Sequence, residues 1–248
     1  QVAIENGQIP FIPPERLPGV SQAIQLFWDS LAPRVISRNS LHWLYGDSLC
    51  YYDVDRYPGV QGYVALTIDD APGRLGNQNS MMLEVQELLK RHQAQATFML
   101  MGKFTAGNES GLKSLLMDGH ELGNHGLVDR SYAKDSREDF EKAVDECSQQ
   151  IKGLQTSVGL PECVRWFRAP HGKLSNTMST VLQERDLTNV MCDTYACCPL
   201  IQDGDFIGRF LAREARHGSI ILIHMPEHGF REWCFQGIEE LLRHLQLS

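Results

Sequence analysis

The sequence predicts an α/β chain whose parallel sheet closes, or partly closes, into a β/α barrel. Three observations carry this reading. From Tyr63 onward, six strand-like runs alternate with six helical patterns, an order that calls for parallel strands joined by helical crossovers. The first run, Tyr63-Val64-Ala65-Leu66-Thr67-Ile68, is apolar and β-branched, as a strand buried on both faces should be. The segment that follows, Asp69-Asp70-Ala71-Pro72-Gly73-Arg74, is not the glycine-rich loop of an open nucleotide-binding sheet. At 248 residues the chain is long enough to form such a barrel as one domain.

Residues 1–62 have a different character. Pro10, Pro13, Pro14 and Pro18 break the first segment into an extended arm, followed by a helix from about Ser21 to Leu31 and a strand near Leu41 to Tyr45. This part reads as an N-terminal extension packed on a main domain of residues 63–248. In that domain, a helix over Ser80–Gln93 aligns Met81, Met82, Val85, Leu88 and Leu89. The strand Ala96–Met101 follows, then a short helix around Leu112–Met117 closed by Gly119, then the strand His120–His125. A long helix opens at Ser136, with Asp139 in a capping-box position, and aligns Phe140, Ala143, Val144, Cys147, Ile151 and Leu154. The strand Val164–Arg168, the helix Ser175–Asp186 and the strand Asn189–Tyr195 continue the series. The helix Phe206–His217 ends before the apolar strand Ser219–His224, and a last helix aligns Ile238, Leu241, Leu242 and Leu245.

Composition narrows the function. Apolar residues at 42% and charged residues at 22% are ordinary globular values. A formal charge of −8 argues against nucleic acid or an anionic membrane as the main partner. No apolar stretch is long enough to form a transmembrane segment. The seven cysteines cannot all pair, and no CxxC is present, which disfavours a zinc ribbon or a thioredoxin-like site. Free buried thiols are the simplest reading; one or two disulfides would imply secretion. Asn108-Glu109-Ser110 fits a glycosylation acceptor, although such triplets also arise by chance. No signal-peptide pattern is visible, and a chain starting at Gln1 leaves the compartment open.

The polar residues fall at strand ends. Asp69 and Asp70 close the first strand, His125 and Asp129 follow the third, and Arg168 and Pro170 close the fourth. Asp193 lies in the fifth strand and His224 ends the sixth. In parallel barrels the carboxyl ends of the strands form one rim, and that rim carries the chemistry. Adjacent buried carboxylates repel, so a positive group belongs beside Asp69 and Asp70; a metal ion is the economical choice. The alternative is a surface turn with both aspartates solvated.

In this order and spacing, TIDDAP, HGLVD, RAPHG, CDTY and ILIH resemble the polysaccharide deacetylases of carbohydrate esterase family 4 over about Tyr63 to Leu247. The resemblance implies a distorted, partly closed β/α barrel with an N-terminal extension. It makes Asp69 the general base, and Asp70 and His125 ligands of one divalent ion. That ion would be zinc first, with cobalt, nickel or manganese as alternatives. Asp129 stands where the family has its second histidine, and the spacing favours ligation. Arg168 would hold Asp69, the backbone N–H beside Pro170, that of His171, would help bind the oxyanion, and Asp193 would orient His224, the general acid. Ala71 replaces the usual glycine and His171 the usual tyrosine.

An acetamide needs a Lewis acid on its carbonyl, a base for the attacking water and an acid for the leaving amine, and this set supplies all three. The expected activity is removal of N-acetyl groups from an acetylated polysaccharide or oligosaccharide of chitin or peptidoglycan type. That substrate class favours a secreted or cell-surface location. O-acetyl xylan esterase and a catalytically silent carbohydrate-binding member are the alternatives. Trp43, Tyr195 and Trp233 are candidates for stacking on sugar rings, and the loop Met225–Gly229 for contacting substrate.

Overall fold

The structure, a computed structural model, describes residues 18–30 and 37–247. Two helices, α1 (Pro18–Ser30) and α2 (Arg38–Tyr45), precede the alternating part. It then runs β1 (Ala65–Ala71), α3 (Met82–Arg91), β2 (Thr97–Leu100), α4 (Glu109–Met117), β3 (Glu121–Asn124) and α5 (Arg137–Ser157). The second half is β4 (Trp166–Phe167), α6 (Asn176–Glu184), β5 (Thr188–Asn189), β6 (Thr194–Tyr195), α7 (Gly204–Glu214), β7 (Ile220–His224) and α8 (Trp233–Leu247). All the sheet pairings are parallel, in the order β5-β4-β3-β2-β1-β7-β6.

Two expectations need correction. The strand expected near Leu41–Tyr45 is helix α2. A short apolar run does not distinguish the two periods. Here the Ser37 N–H donates to Ser40 Oγ at 3.0 Å, and Leu41 and Tyr45, one turn apart, both face Cys50 and Met191. The single strand expected over Asn189–Tyr195 is β5 and β6, which lie at opposite edges of the sheet. The arm carrying Pro10, Pro13 and Pro14 falls outside the described residues.

That split shows how the sheet curls. Laid flat, seven strands would place β5 and β6 about 29 Å apart. Only residues 190–193 connect them, and a fully extended link of that length spans at most about 18 Å. The sheet therefore bends into a partial barrel. Residues 49–52 fill the remaining gap: the Leu49 N–H donates to Asn189 O at 2.9 Å, the Met191 N–H to Leu49 O at 2.8 Å, and the Tyr52 N–H to Gly218 O at 2.8 Å.

Alternation along β1 separates the two faces. Leu66 and Ile68 join the main core with Val85, Leu88, Leu89, Ile221 and Leu241, under the outer helices. Ala65 packs inside with Ile220, Leu222, Val190 and Trp166, and Thr67 Oγ1 turns toward Arg168. Outside, α7 and α8 come unusually close. A Cβ on Gly208 would lie 2.3 Å from Glu240 Cβ and 2.8 Å from Gly237 O. Gly208→Val is therefore expected to force these helices apart and destabilise the fold by about 1–3 kcal/mol. A thermal melt would show it, and an unchanged midpoint would mean the helices are free to separate at no cost.

All seven cysteines are free thiols; five are buried, as the simplest reading expected of all of them, and Cys163 and Cys197 are only partly so. Asn108 is buried, and its side-chain amide donates to Asn77 Oδ1 at 2.7 Å and Phe104 O at 2.9 Å, so the glycosylation triplet does not present a free amide. Among the described residues, no helix is long and apolar enough to cross a membrane.

Candidate active site

The end of β1 is bent to aim two successive carboxylates the same way. In a regular strand Asp69 and Asp70 would face opposite sides. Here the register with β2 shifts between Ile68 and Ala71, and Asp70 takes φ 64, a left-handed conformation that aspartate tolerates better than most residues. Both carboxylates are consequently buried within reach of His125. Its Nε2 lies 3.7 Å from Asp70 Oδ1 and 4.0 Å from Asp69 Oδ2.

Asp69 is held by Arg168, which is among the largest fully buried side chains. Arg168 Nη1 donates to Asp69 Oδ1 at 2.6 Å and to Thr67 Oγ1 at 2.7 Å. Its Nε donates to Val190 O at 2.9 Å and its Nη2 to Met191 O at 3.0 Å. Four acceptors leave the guanidinium, and hence Asp69, no alternative position.

The imidazole of His125 has a determined tautomer. Its Nδ1 lies 2.8 Å from Arg168 O, a carbonyl that can only accept, so Nδ1 carries the proton and Nε2 of the neutral ring presents a lone pair. Asp129 is delivered by the turn after β3. Gly126 adopts φ 72 against the Tyr132 ring, where a Cβ would lie 2.8 Å from the phenol oxygen. That oxygen accepts from the Leu127 and Val128 N–H groups at 2.9 and 3.0 Å. Asp70, His125 and Asp129 each offer one ligand atom, all within 4.8 Å of one another.

These donors fit a divalent ion. Two carboxylates and one imidazole are a mixed oxygen–nitrogen set suited to zinc or its neighbours. Asp70 Oδ1 is buried with no hydrogen-bond partner, and the His125 lone pair comes from 3.7 Å away. Such an orphaned buried acceptor, facing an imidazole lone pair, is suited to a cation.

The positive charge that the sequence called for is nevertheless already present, on two arginines that the reading missed. Arg231 Nη1 donates to Asp70 Oδ2 at 2.6 Å. Arg74 Nη1 donates to Asp129 Oδ2 at 2.7 Å, and its Nη2 lies 3.6 Å from Asp70 Oδ2. Both guanidiniums rest on Phe230, at 4.6 and 5.2 Å from its ring centre. Burial would push the Asp70 carboxyl up, but His224, Arg231, Arg74 and His125 outweigh it and hold it well below the usual carboxylate range.

Glu227 completes the mouth of the site. It is buried, and one oxygen accepts from the Arg74 and Leu75 N–H groups at 2.7 and 2.6 Å. Burial raises its carboxyl above the ordinary value against those bonds. The Met225–Gly229 loop thus braces the turn after β1 through Glu227, and His228 and Gly229 stay exposed.

The other expected residues divide. Pro170 is buried in the turn after β4, and His171 follows it at φ 59 with its ring half-exposed and Nε2 3.3 Å from Asp129 Oδ1. His224 ends β7 directly opposite Asp69. The expected Asp193–His224 pair is not formed. Asp193 Oδ2 takes Arg38 Nε at 2.7 Å and Ser219 Oγ at 3.0 Å, and Oδ1 takes the Ile220 N–H at 3.0 Å. Its carboxylate is used up tying α2 to β7. His224 Nδ1 instead meets Cys198 Sγ at 3.1 Å. Burial disfavours the charged ring, yet Cys198 and Asp70 outweigh burial and Arg231 and raise His224 above its ordinary value. Trp43 is 89% exposed, whereas Trp233 is engaged through its indole N–H with Cys198 O at 2.7 Å.

Comparison with known proteins places the chain's sequence and fold. A sequence model described as polysaccharide deacetylase matches residues 57–190. A chitooligosaccharide deacetylase of Azorhizobium caulinodans is 29% identical over 185 residues, covering 71% of this chain and 81% of the relative. The fold is similar to that of a peptidoglycan N-acetylglucosamine deacetylase, with TM-score 0.68 at 18% identity over 85% of this chain and 91% of the other. It is also similar to a CE4 family pseudoenzyme from Bacillus anthracis, with TM-score 0.63 at 19% identity over 75% and 61%. A Bacillus subtilis relative named only as an uncharacterized protein is matched over 34% of its length.

Proposed function

Because the chain belongs to the polysaccharide deacetylase family, we propose that it is a metal-dependent hydrolase that removes N-acetyl groups from an N-acetylglucosamine-containing polysaccharide or oligosaccharide. The observation that carries this reading is the triad Asp70, His125 and Asp129 beside an arginine-held Asp69, with His224 opposite. The Azorhizobium relative's name, chitooligosaccharide deacetylase, points to the same substrate class.

Asp70, His125 and Asp129 would hold the ion, zinc before cobalt, nickel or manganese; when bound, it supplies Lewis acidity toward the acetamide carbonyl and lowers the pKa of water. Asp69 takes a proton from the attacking water. Arg168 holds Asp69 oriented, so the base is in place before substrate arrives. The backbone N–H of His171 is the candidate donor to the oxyanion. His224, in its protonated form, gives its proton to the leaving amine as the C–N bond breaks.

This assigns a pH dependence to Cys198. A folded-state value above the ordinary one means that His224 keeps its proton past the usual imidazole range, and activity declines as pH rises through that raised value. Burial holds the Cys198 thiol itself well above its ordinary value, so near neutrality its sulfur acts as an uncharged acceptor for Nδ1–H. Cys198→Ala is expected to move the alkaline limb of kcat/KM to lower pH. Asp193→Asn, which touches Arg38 and not His224, should leave that limb in place. The reverse pattern would return the role to Asp193.

One observation favours a second reading. Asp70 and Asp129 are both engaged by arginines, so the site can stay assembled for carbohydrate binding without turnover. Acetate release from N-acetylglucosamine oligomers and from acetylated xylan, with zinc, cobalt or manganese added, separates the possibilities. Release from the oligomers supports the proposal, and release from xylan alone makes the protein an O-acetyl esterase. No release from either, with oligomer binding intact, makes it a silent binder.

A further inference from the structure

We infer that Arg231 is a built-in counter-cation for Asp70, so that a divalent ion must compete with an internal ion pair to load this site. The inference rests on the metal-dependent reading above and concerns how the chain's own residues set metal affinity.

Asp69, Asp70 and Asp129 carry three negative charges, and Arg168, Arg231 and Arg74 pair with them one for one. Each of the three carboxylates is thus already compensated by a guanidinium. A divalent cation therefore gains little from net attraction, unlike one approaching uncompensated carboxylates.

Arg231 is placed, not adventitious. Its side chain is 8% exposed and that of Asp70 2%, so the pair is desolvated. Its backbone sits at φ 57, a left-handed conformation that strains a non-glycine residue and that the fold nevertheless maintains. The Phe230 ring supports its guanidinium at 4.6 Å and that of Arg74 at 5.2 Å, so one aromatic side chain sets both cations over the two carboxylates. Glu227 fixes the backbone of Arg74 from below.

The pairing is also incomplete. The Nε groups of Arg231 and Arg74 are buried without partners, and so is Asp70 Oδ1. Each guanidinium gives up part of its hydrogen-bonding capacity to be there, and one Asp70 oxygen remains for a ligand bond. The ion pair holds the site together while leaving it displaceable. Loading is weaker than the three ligands would otherwise support, and reversible with metal supply.

The test needs no substrate. Zinc, and separately manganese, is titrated calorimetrically into metal-stripped wild type, Arg231→Gln, Arg231→Lys and Asp70→Asn, and melting curves are recorded with and without metal. Arg231→Gln is expected to bind zinc about 10–100-fold tighter than wild type, with a larger metal-induced rise in melting temperature. Arg231→Lys, which keeps the charge, should stay near wild type, and Asp70→Asn should lose binding. Equal or weaker binding by Arg231→Gln, with wild type still binding, overturns the inference and leaves the metal site standing. No binding by either protein at millimolar metal overturns both. If Arg231→Gln does not fold, Arg74→Gln, on the partly exposed side, carries the test. Tightening is again expected, and unchanged affinity overturns the inference.

Discussion

Asp69→Asn is expected to lower turnover about 10²–10⁴-fold, the range for loss of a positioned general base, while metal affinity stays close to wild type. The amide keeps the shape of the carboxylate and an oxygen for Arg168 but cannot take a proton from water. Arg168 loses its counter-charge, yet it retains Thr67 Oγ1, Val190 O and Met191 O, so the fold should survive with reduced stability. Initial rates of acetate release and metal content, measured on the same preparation, decide the matter. If metal and activity fall together, Asp69 is a ligand and not the base.

Arg168→Leu should have the largest effect on stability. The substitution strands a buried carboxylate and leaves Val190 O and Met191 O without their donors. Breaking a buried pair by removing one partner costs about 3–5 kcal/mol, which for a domain of this size lowers the melting temperature by roughly 6–20 °C. Arg168→Lys separates charge from geometry. It restores a positive group near Asp69 but cannot fork to four acceptors, so an intermediate loss is expected. A Leu variant as stable as wild type would mean that the Arg168–Asp69 pair contributes nothing to the stability of the fold.

The sequence was most informative where local pattern decides structure. The apolar run of β1, the capped α5 and the stripes of the outer helices could be read because their cause lies within a few residues. The rim could be read too, because parallel strands must end on the same side. The 38–45 helix could not, since Leu-His-Trp-Leu-Tyr satisfies either period and its helical start depends on a bond between Ser37 and Ser40. Nor could the break between β5 and β6, which follows from barrel curvature and leaves no mark in the residues themselves.

The site was legible in its acids and not in their partners. Asp69 and Asp70 announce a need for positive charge, but Arg231 answers from 161 positions away. A lone arginine between Phe230 and Glu232 has no local signature. The same limit produced the wrong partner for His224: Asp193 was the carboxylate at hand, while Cys198 looked like an ordinary core thiol. What the reading recovered was the chemistry each strand end contributes, and what it missed was how side chains from distant loops divide that chemistry among themselves.

The segment at 49–52 that fills the gap between the sheet edges has a consequence in time. Ser48 waits for Asn189, 141 positions later, and Arg38 for Asp193, 155 positions later. At a synthesis rate of about 5–20 residues per second, that is a delay of roughly 10–30 s during which the early segment has no partner. The last stave of the barrel is thus among the first residues made and among the last to dock. Contacts of such long range slow folding and leave strand edges open meanwhile. A nascent chain stalled before residue 189 should therefore be protease-sensitive at 37–62, and one stalled well beyond residue 224 should be protected there.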